Sequence, residues 1–206
     1  MPRITGYSGV SQDTNDWMYF NLRTGKIYNE HFSGEDIKEG EQKERSDWDI
    51  AFCGYHLRTN SGTSGNGMGG VADLGYGNYE KWTDVSQIPE GTEWVTDTDK
   101  DVYVTMSQKD WAHYCSLNGL DLKENPWFDP NSGPRRTVTS ANKLFDSAIV
   151  VAGPPMSHTP SYHTYLIRTA DGNRYFKLQI ISWYNEHVEI DDTGGQFSYY
   201  LDELKQ

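Results

Sequence analysis

Apolar and polar positions are most cleanly sorted in "YHTYLIRTADGNRYFKLQIISWY", from Tyr162 to Tyr184. With Asp171-Gly172 as a two-residue turn, Ile167 falls opposite Phe176 and Tyr165 opposite Leu178, while Arg168, Lys177 and Gln179 share the other face. The pattern predicts a β-hairpin with one apolar and one polar face. A slip of one residue would destroy that segregation, so the register is specified. In "DWDIAFCGYHLRT", Trp48, Ile50 and Phe52 alternate with Asp47, Asp49 and Ala51, which predicts a half-buried strand. "WMYFNLRTGKIYN" predicts a second hairpin, turning at Thr24-Gly25 between two aromatic-rich runs.

Further along, "DVYVTM" reads as a strand, and a short helix is expected after it. There Ser107 is placed to cap, Asp110 follows three residues on, Trp111, Tyr114 and Cys115 share a face, and Gly119 closes the segment. "FSGEDIKEGEQKERS" reads as a solvated loop, "NPWFDPNSGPRR" as a turn-rich loop, and "LFDSAIVV" as an apolar run ahead of the loop "AGPPMSHTPS". No internal repeat interrupts the series. The pattern describes an all-β chain, mainly antiparallel, with one or two short helices.

Composition agrees. The 206 residues suit a single domain spanning residues 1–206, and 14 Tyr, 7 Trp and 7 Phe alongside frequent glycine favour sheet with many turns. Thirty acidic against 18 basic residues give a net charge of −12, which argues against nucleic acid or an anionic membrane as partner. No apolar run approaches the roughly 20 residues of a membrane-spanning helix. "MPRITGYSGV" lacks the apolar core of a secretory leader, so the chain is expected to be cytoplasmic or a secreted protein without its leader. Cys53 and Cys115 have no metal-site spacing, and either a pair or two buried thiols is compatible with them.

Several familiar chemistries fail on their context. Gly65, Gly67 and Gly70 fit G-x-G-x-x-G, but "VADLGYGNYEKW" behind them cannot open the helix that a phosphate cradle needs. The glycine loop is therefore expected to be a structural turn. "DTDKD" begins like a calcium loop, yet Val102 stands where glycine must turn and Gln108 where a bidentate Glu is required. There is no HExxH and no G-x-S-x-G.

"WMYFNLRTGKI", "DWDIAFCGYHLRTNSGTSGNGMGG" and "YLIRTADGNRYFKLQIISWY" together resemble the HmuY family of haem-binding surface lipoproteins of anaerobic Gram-negative bacteria. The resemblance implies an all-β fold that clamps haem (iron protoporphyrin IX) between loops at one end of the sheets, with a side chain on each side of the iron. It implies a binding protein rather than an enzyme, held at the outer membrane by a lipid anchor or secreted. Its implied partners are haem, host haemoproteins as a source and an outer-membrane haem receptor. A surface glycan- or protein-binding module using exposed Trp and Tyr is the alternative, and a hydrolase built on paired acids a third reading.

On the family pattern one iron ligand falls in "AGPPMSHTPSYH", with Met156 the first choice and His158 the second. The flanking Pro154, Pro155 and Pro160 place Met156 in a loop, where it has less reason to be packed. Met106 and His113 compete for the opposite side. Met106 equally suits a staple against Trp111, and His113 a solvated helix flank. Imidazole and thioether both bind haem iron, and the softer thioether favours the ferrous state. His163 is expected to be a hydrogen-bonded core residue beside Tyr165 and Ile167. The family pattern offers no ligand at His31 or His56, and His187 follows the late hairpin. Where many family members carry a His after the Phe of the middle strand, this chain has Cys53.

Overall fold

The computed structural model describes residues 3–7, 17–29, 37–38, 40–53, 56–104, 116, 128–129, 133–153, 157–183 and 196–206. Among these the strands are β1 (Arg3–Tyr7), β2 (Met18–Asn21), β3 (Lys26–Tyr28), β4 (Ile50–Cys53), β5 (His56–Thr59), β6 (Gly70–Tyr76), β7 (Thr98–Val104), β8 (Phe128–Asp129), β9 (Gly133–Ala141), β10 (Ile149–Ala152), β11 (Ser157–Pro160), β12 (His163–Arg168), β13 (Tyr175–Ser182) and β14 (Gln196–Glu203). They form a five-stranded sheet β1-β14-β13-β12-β6, a four-stranded sheet β3-β2-β4-β5, a three-stranded sheet β7-β9-β8 and the hairpin β10-β11. Strand pairing within the sheets is antiparallel. Short 3₁₀ turns occur at Glu41–Glu44, Tyr79–Lys81, Val85–Gln87 and Lys143–Ser147. The mainly antiparallel all-β fold class expected from the sequence is the one observed. The helix expected from Ser107 lies outside the described residues except for Ser116, which is helical.

The late hairpin has the expected register, with Tyr165 opposite Leu178 and Ile167 opposite Phe176. Its turn is wider than two residues. Thr169 N–H donates to the Arg174 carbonyl at 3.0 Å, and Gly172 N–H to the Thr169 carbonyl at 2.9 Å. Opening the turn by one residue on each side leaves every facing pair unchanged, which is why the register survives the difference. The second face, expected to be polar, is largely covered. Leu166 packs there with Ala72 and Leu204, and Trp82, Val85, Ile88 and Trp94 from the segment after β6 cover it. Lys177 on that face is buried too, donating to the Tyr79 carbonyl at 3.0 Å with its ammonium over the Tyr79 ring.

"WDIAFCGYHLRT" is two strands, not one: β4 and β5 pair as a hairpin in which Cys53 faces His56. Nor is β4 half-buried. Ile50 and Phe52 join the main core with Tyr165, Ile167, Leu178 and Tyr199, and the Phe52 and Tyr199 rings stack with centroids 5.5 Å apart. Its other face, with Ala51 and Cys53, packs in a second cluster with Trp17, Tyr19, Tyr28, Ile37 and Trp48. The charged run before it supplies part of that cover: Ile37 and Gln42 are buried, and Trp48 Nε1 donates to the Gln42 carbonyl at 2.9 Å. The loop expected over residues 125–136 is likewise partly strand, since β8 pairs with the start of β9.

The glycine loop between β5 and β6 wraps around Asn60. Gly69 N–H donates to the Asn60 carbonyl and Gly67 N–H to Asn60 Oδ1, both at 3.0 Å. A Cβ on Gly67 or Gly69 would lie 2.7 or 2.6 Å from the Asn60 carbonyl oxygen, and one on Gly65 2.1 Å from Oδ1. The glycines are there for close approach, and a strand rather than a helix follows. The start of "DTDKD" is also structural. Buried Asp97 accepts from Thr59 N and Oγ1 at 2.9 and 2.6 Å and from Asn142 Nδ2 at 3.0 Å, and burial pushes its carboxyl above the ordinary value.

Candidate functional site

The hairpin β10–β11 rises from a well-anchored base. Asn142 accepts from Leu144 N–H at 3.1 Å and opens the 3₁₀ turn Lys143–Ser147. Ala148 then closes against Phe145, and Ser161 N–H donates back to the Ala148 carbonyl at 2.9 Å. Ile149 and Pro160, a facing pair at the bottom of the hairpin, are both buried. Toward the tip the cover ends, leaving Val150 53% and Val151 39% exposed. Ala152 faces Ser157 in the outermost described pair of the hairpin.

His158 is the cross-strand partner of Val151, on the face that continues Ile149 and Pro160 outward. Its ring lies flat against Trp183, with centroids 5.0 Å apart and an interplanar angle of 13°. Trp183 follows β13, is 1% exposed and belongs to the main core. Burial holds the half-buried His158 imidazole below its ordinary pKa, which favours the neutral form with its free nitrogen lone pair. Neither ring nitrogen has a hydrogen-bond partner among the described residues. A neutral, unbonded imidazole beside exposed valines is chemically a donor for a soft or borderline metal with an apolar surround.

Of the residues expected to hold iron, His158 alone is described; Met156, Met106 and His113 lie outside the described residues. His158 belongs to a strand where a loop was expected. Pro160 does not interrupt that strand, because it occupies the terminal position, where a missing N–H is tolerated. His163 is hydrogen-bonded as expected, but it is not in the core. The pairing of β12 with β6 shifts between His163 and Tyr165, so the inward alternation stops short of His163. Its Nδ1 instead lies 2.8 Å from the Asp73 carboxylate on the half-exposed edge. His56 is buried on β5, with Nδ1 3.3 Å from Lys100 Nζ.

Trp183 is the residue that motif reading overlooked. Extending the register that pairs Ile167 with Phe176 sets Trp183 opposite Pro160, two residues from His158, and this arithmetic is the sequence signal for it. An apolar cleft of about 260 Å³ lies elsewhere, lined by Phe20, Leu22, Ile27, Phe176 and Leu201. Phe176 and Trp183 stand at opposite ends of β13, about 23 Å apart at strand rise, so this cleft is separate from the hairpin. Among the described residues no group of three or more His, Cys, Asp or Glu is arranged to hold a metal ion, and no helix is long and apolar enough to cross a membrane.

The same architecture recurs in solved structures. Apo PinO from Porphyromonas gingivitis is similar with a TM-score of 0.59 and 16% identity, over 97% of this chain and 96% of that one. The apo HmuY analogue of Tannerella forsythia gives 0.56 and 17%, over 100% and 98%. A candidate HmuY-like haem-binding protein from Bacteroides vulgatus gives 0.57 and 19%, over 89% and 82%. No curated protein matches the chain. The HmuY protein family model matches residues 13–200, nearly the whole sequence, and the chain belongs to the HmuY family.

Proposed function

We propose that the protein is a non-enzymatic haem-binding protein, a single domain over residues 1–206 that captures haem by axial ligation of the iron for haem and iron acquisition. Family membership supports haem as the ligand. The observation that carries the reading is His158, an imidazole whose burial favours the neutral form, without a hydrogen-bond partner among the described residues, beside exposed Val150 and Val151. His158 and its surround fit haem, whose iron accepts a neutral imidazole nitrogen and whose macrocycle favours apolar side chains.

When bound, the group supplies an iron centre that accepts one ligand on each face. On this chain His158 would offer its ring nitrogen to the iron and Val151, on the same hairpin face, would cover apolar surface, with Met156 the thioether candidate from the sequence. Met106 and His113 are the candidates for the opposite side. The working place of such a protein is the outer-membrane surface, as a lipoprotein, or the extracellular medium. Host haemoproteins are then the source of haem and an outer-membrane receptor its destination. Titration of the apo protein with haemin tests the reading: a saturable, sharpened and shifted Soret band at one equivalent is expected. A second reading, a glycan- or protein-binding module, draws on exposed Tyr76 and Tyr162, 71% and 41% accessible. Saturable glycan binding without any Soret change would favour it.

A further inference from the structure

We propose that Trp183 is a positioning residue for the iron-ligating imidazole, an inference that rests on the assignment of His158 to the haem site. A free histidine at the end of a two-stranded hairpin samples several rotamers about χ1 and χ2. His158 does not have that freedom, because its ring lies 5.0 Å from the indole centroid at 13°. The indole is itself fixed, 1% exposed and packed within the main core. The imidazole is therefore held by the rigid part of the fold, although the hairpin that carries it projects to exposed Val150, Val151 and Ala152.

The orientation matters as much as the rigidity. A metal bound by an imidazole nitrogen lies in the plane of the ring, so a ring set parallel to the indole directs that bond along the indole face. Stacking uses the flat surface of the imidazole and leaves both nitrogens at its edge, and neither has another partner among the described residues. Trp183 thus serves the ligand without competing for its lone pair, as a hydrogen-bonding partner on the same nitrogen would. Holding the ring before the metal arrives also removes the loss of rotamer freedom from the binding step. The function of Trp183 is to set the ligand's direction, and stacking on the haem is not required of it.

The test separates the positioning role from the site itself. In the apo protein, the His158 Hε1 and Hδ2 resonances, assigned by their loss in His158→Ala, should be shifted upfield by the indole ring current. Trp183→Phe should keep a stacked ring and part of that shift, and Trp183→Leu should return the resonances to ordinary positions. Haemin affinity should fall by about twofold to tenfold in Trp183→Leu, the range that aromatic pair energies correspond to, with a less uniform low-spin signal in electron paramagnetic resonance. Trp183→Phe should recover most of both. Unchanged affinity and spectrum in folded Trp183→Leu, where His158→Ala abolishes the native spectrum, would overturn the positioning role while leaving the site in place. Unchanged haemin binding in folded His158→Ala would remove His158 from the site and the role of Trp183 with it. Ordinary His158 shifts in the unsubstituted apo protein would also overturn it, whether or not either Trp183 variant folds.

Discussion

The buried carboxylate of Asp49 on one main sheet accepts the backbone N–H of Ala170 in the β12–β13 turn of the other, at 2.8 Å. Its second oxygen accepts Leu22 N–H at 2.7 Å, and the Arg23 guanidinium lies 3.2 Å away. One side chain therefore ties the β2–β3 turn, the start of β4 and the late hairpin into a single arrangement. Replacing Asp49 with Ala strands two amides and leaves Arg23 with the Ser46 carbonyl and the more distant Asp171 carboxylate. We expect Asp49→Ala to lower unfolding stability by about 2–4 kcal/mol and Asp49→Asn by less, because the amide oxygen can still accept. Urea unfolding measures both; a loss well under about 1 kcal/mol in Asp49→Ala would mean that the network contributes little, and equal losses that the amide oxygen does not replace the carboxylate.

Gly67 in the glycine loop and Gly77 behind β6 should respond to added volume according to what each Cβ meets. At Gly67 the obstacle is backbone, the carbonyl oxygens of Asn60 and Ala170 at 2.7 and 3.0 Å. At Gly77 nothing lies within 4 Å, but φ is +65°. Gly67→Ala is expected to cost about 2–3 kcal/mol through overpacking. Gly77→Ala should cost about 1 kcal/mol from backbone strain alone. The reverse order in denaturant midpoints would contradict the close-approach account. Neither substitution should create or abolish binding of ATP or NAD, which the loop has no helix to support.

Acid should weaken the fold through its paired carboxylates. Arg174 holds Glu203 through two hydrogen bonds of 2.5 and 2.6 Å, and its guanidinium depresses the Glu203 carboxyl. Arg45, with a further hydrogen bond from Tyr28, depresses Asp47. A carboxyl lowered in the folded state stabilises above its unfolded pKa of about 4 and loses that contribution as pH falls through the folded value. The stability these two carboxylates contribute should therefore hold from about pH 8 to about 5 and decline below that, so that Glu203→Gln shows a shallower decline. Both pairs are partly exposed, so the effect of each is modest and should shrink in high salt. Identical slopes for Glu203→Gln and the unsubstituted protein would exclude that pair.

Local pattern carried the late hairpin because its two faces sort within one continuous stretch, and the register depends only on the sum of paired positions. The cover over its second face was not legible, since Trp82, Val85 and Trp94 are supplied from some eighty positions earlier in the chain. For the same reason β4 read as half-buried: Ile37 and Trp17 close its other face from outside the strand. In the site, Pro154, Pro155 and Pro160 suggested a loop around His158, whereas a proline at a strand end leaves the ladder intact. Trp183 carries no motif and acquires its meaning only when two successive hairpins are set side by side.

Haemin titration of the unsubstituted protein, His158→Ala and Met156→Ala, each in the ferric and the ferrous state and each checked for folding by circular dichroism, tests the central claim most directly. An imidazole ligand from β11 predicts that His158→Ala loses the sharp low-spin Soret band in both oxidation states and that Met156→Ala keeps it. Were Met156 the ligand, binding would be tighter in the ferrous state and Met156→Ala would be the damaging change, because a thioether donates weakly to ferric iron. Unchanged affinity and spectra in both folded variants, in both oxidation states, would contradict the account by removing the β10–β11 hairpin from haem binding.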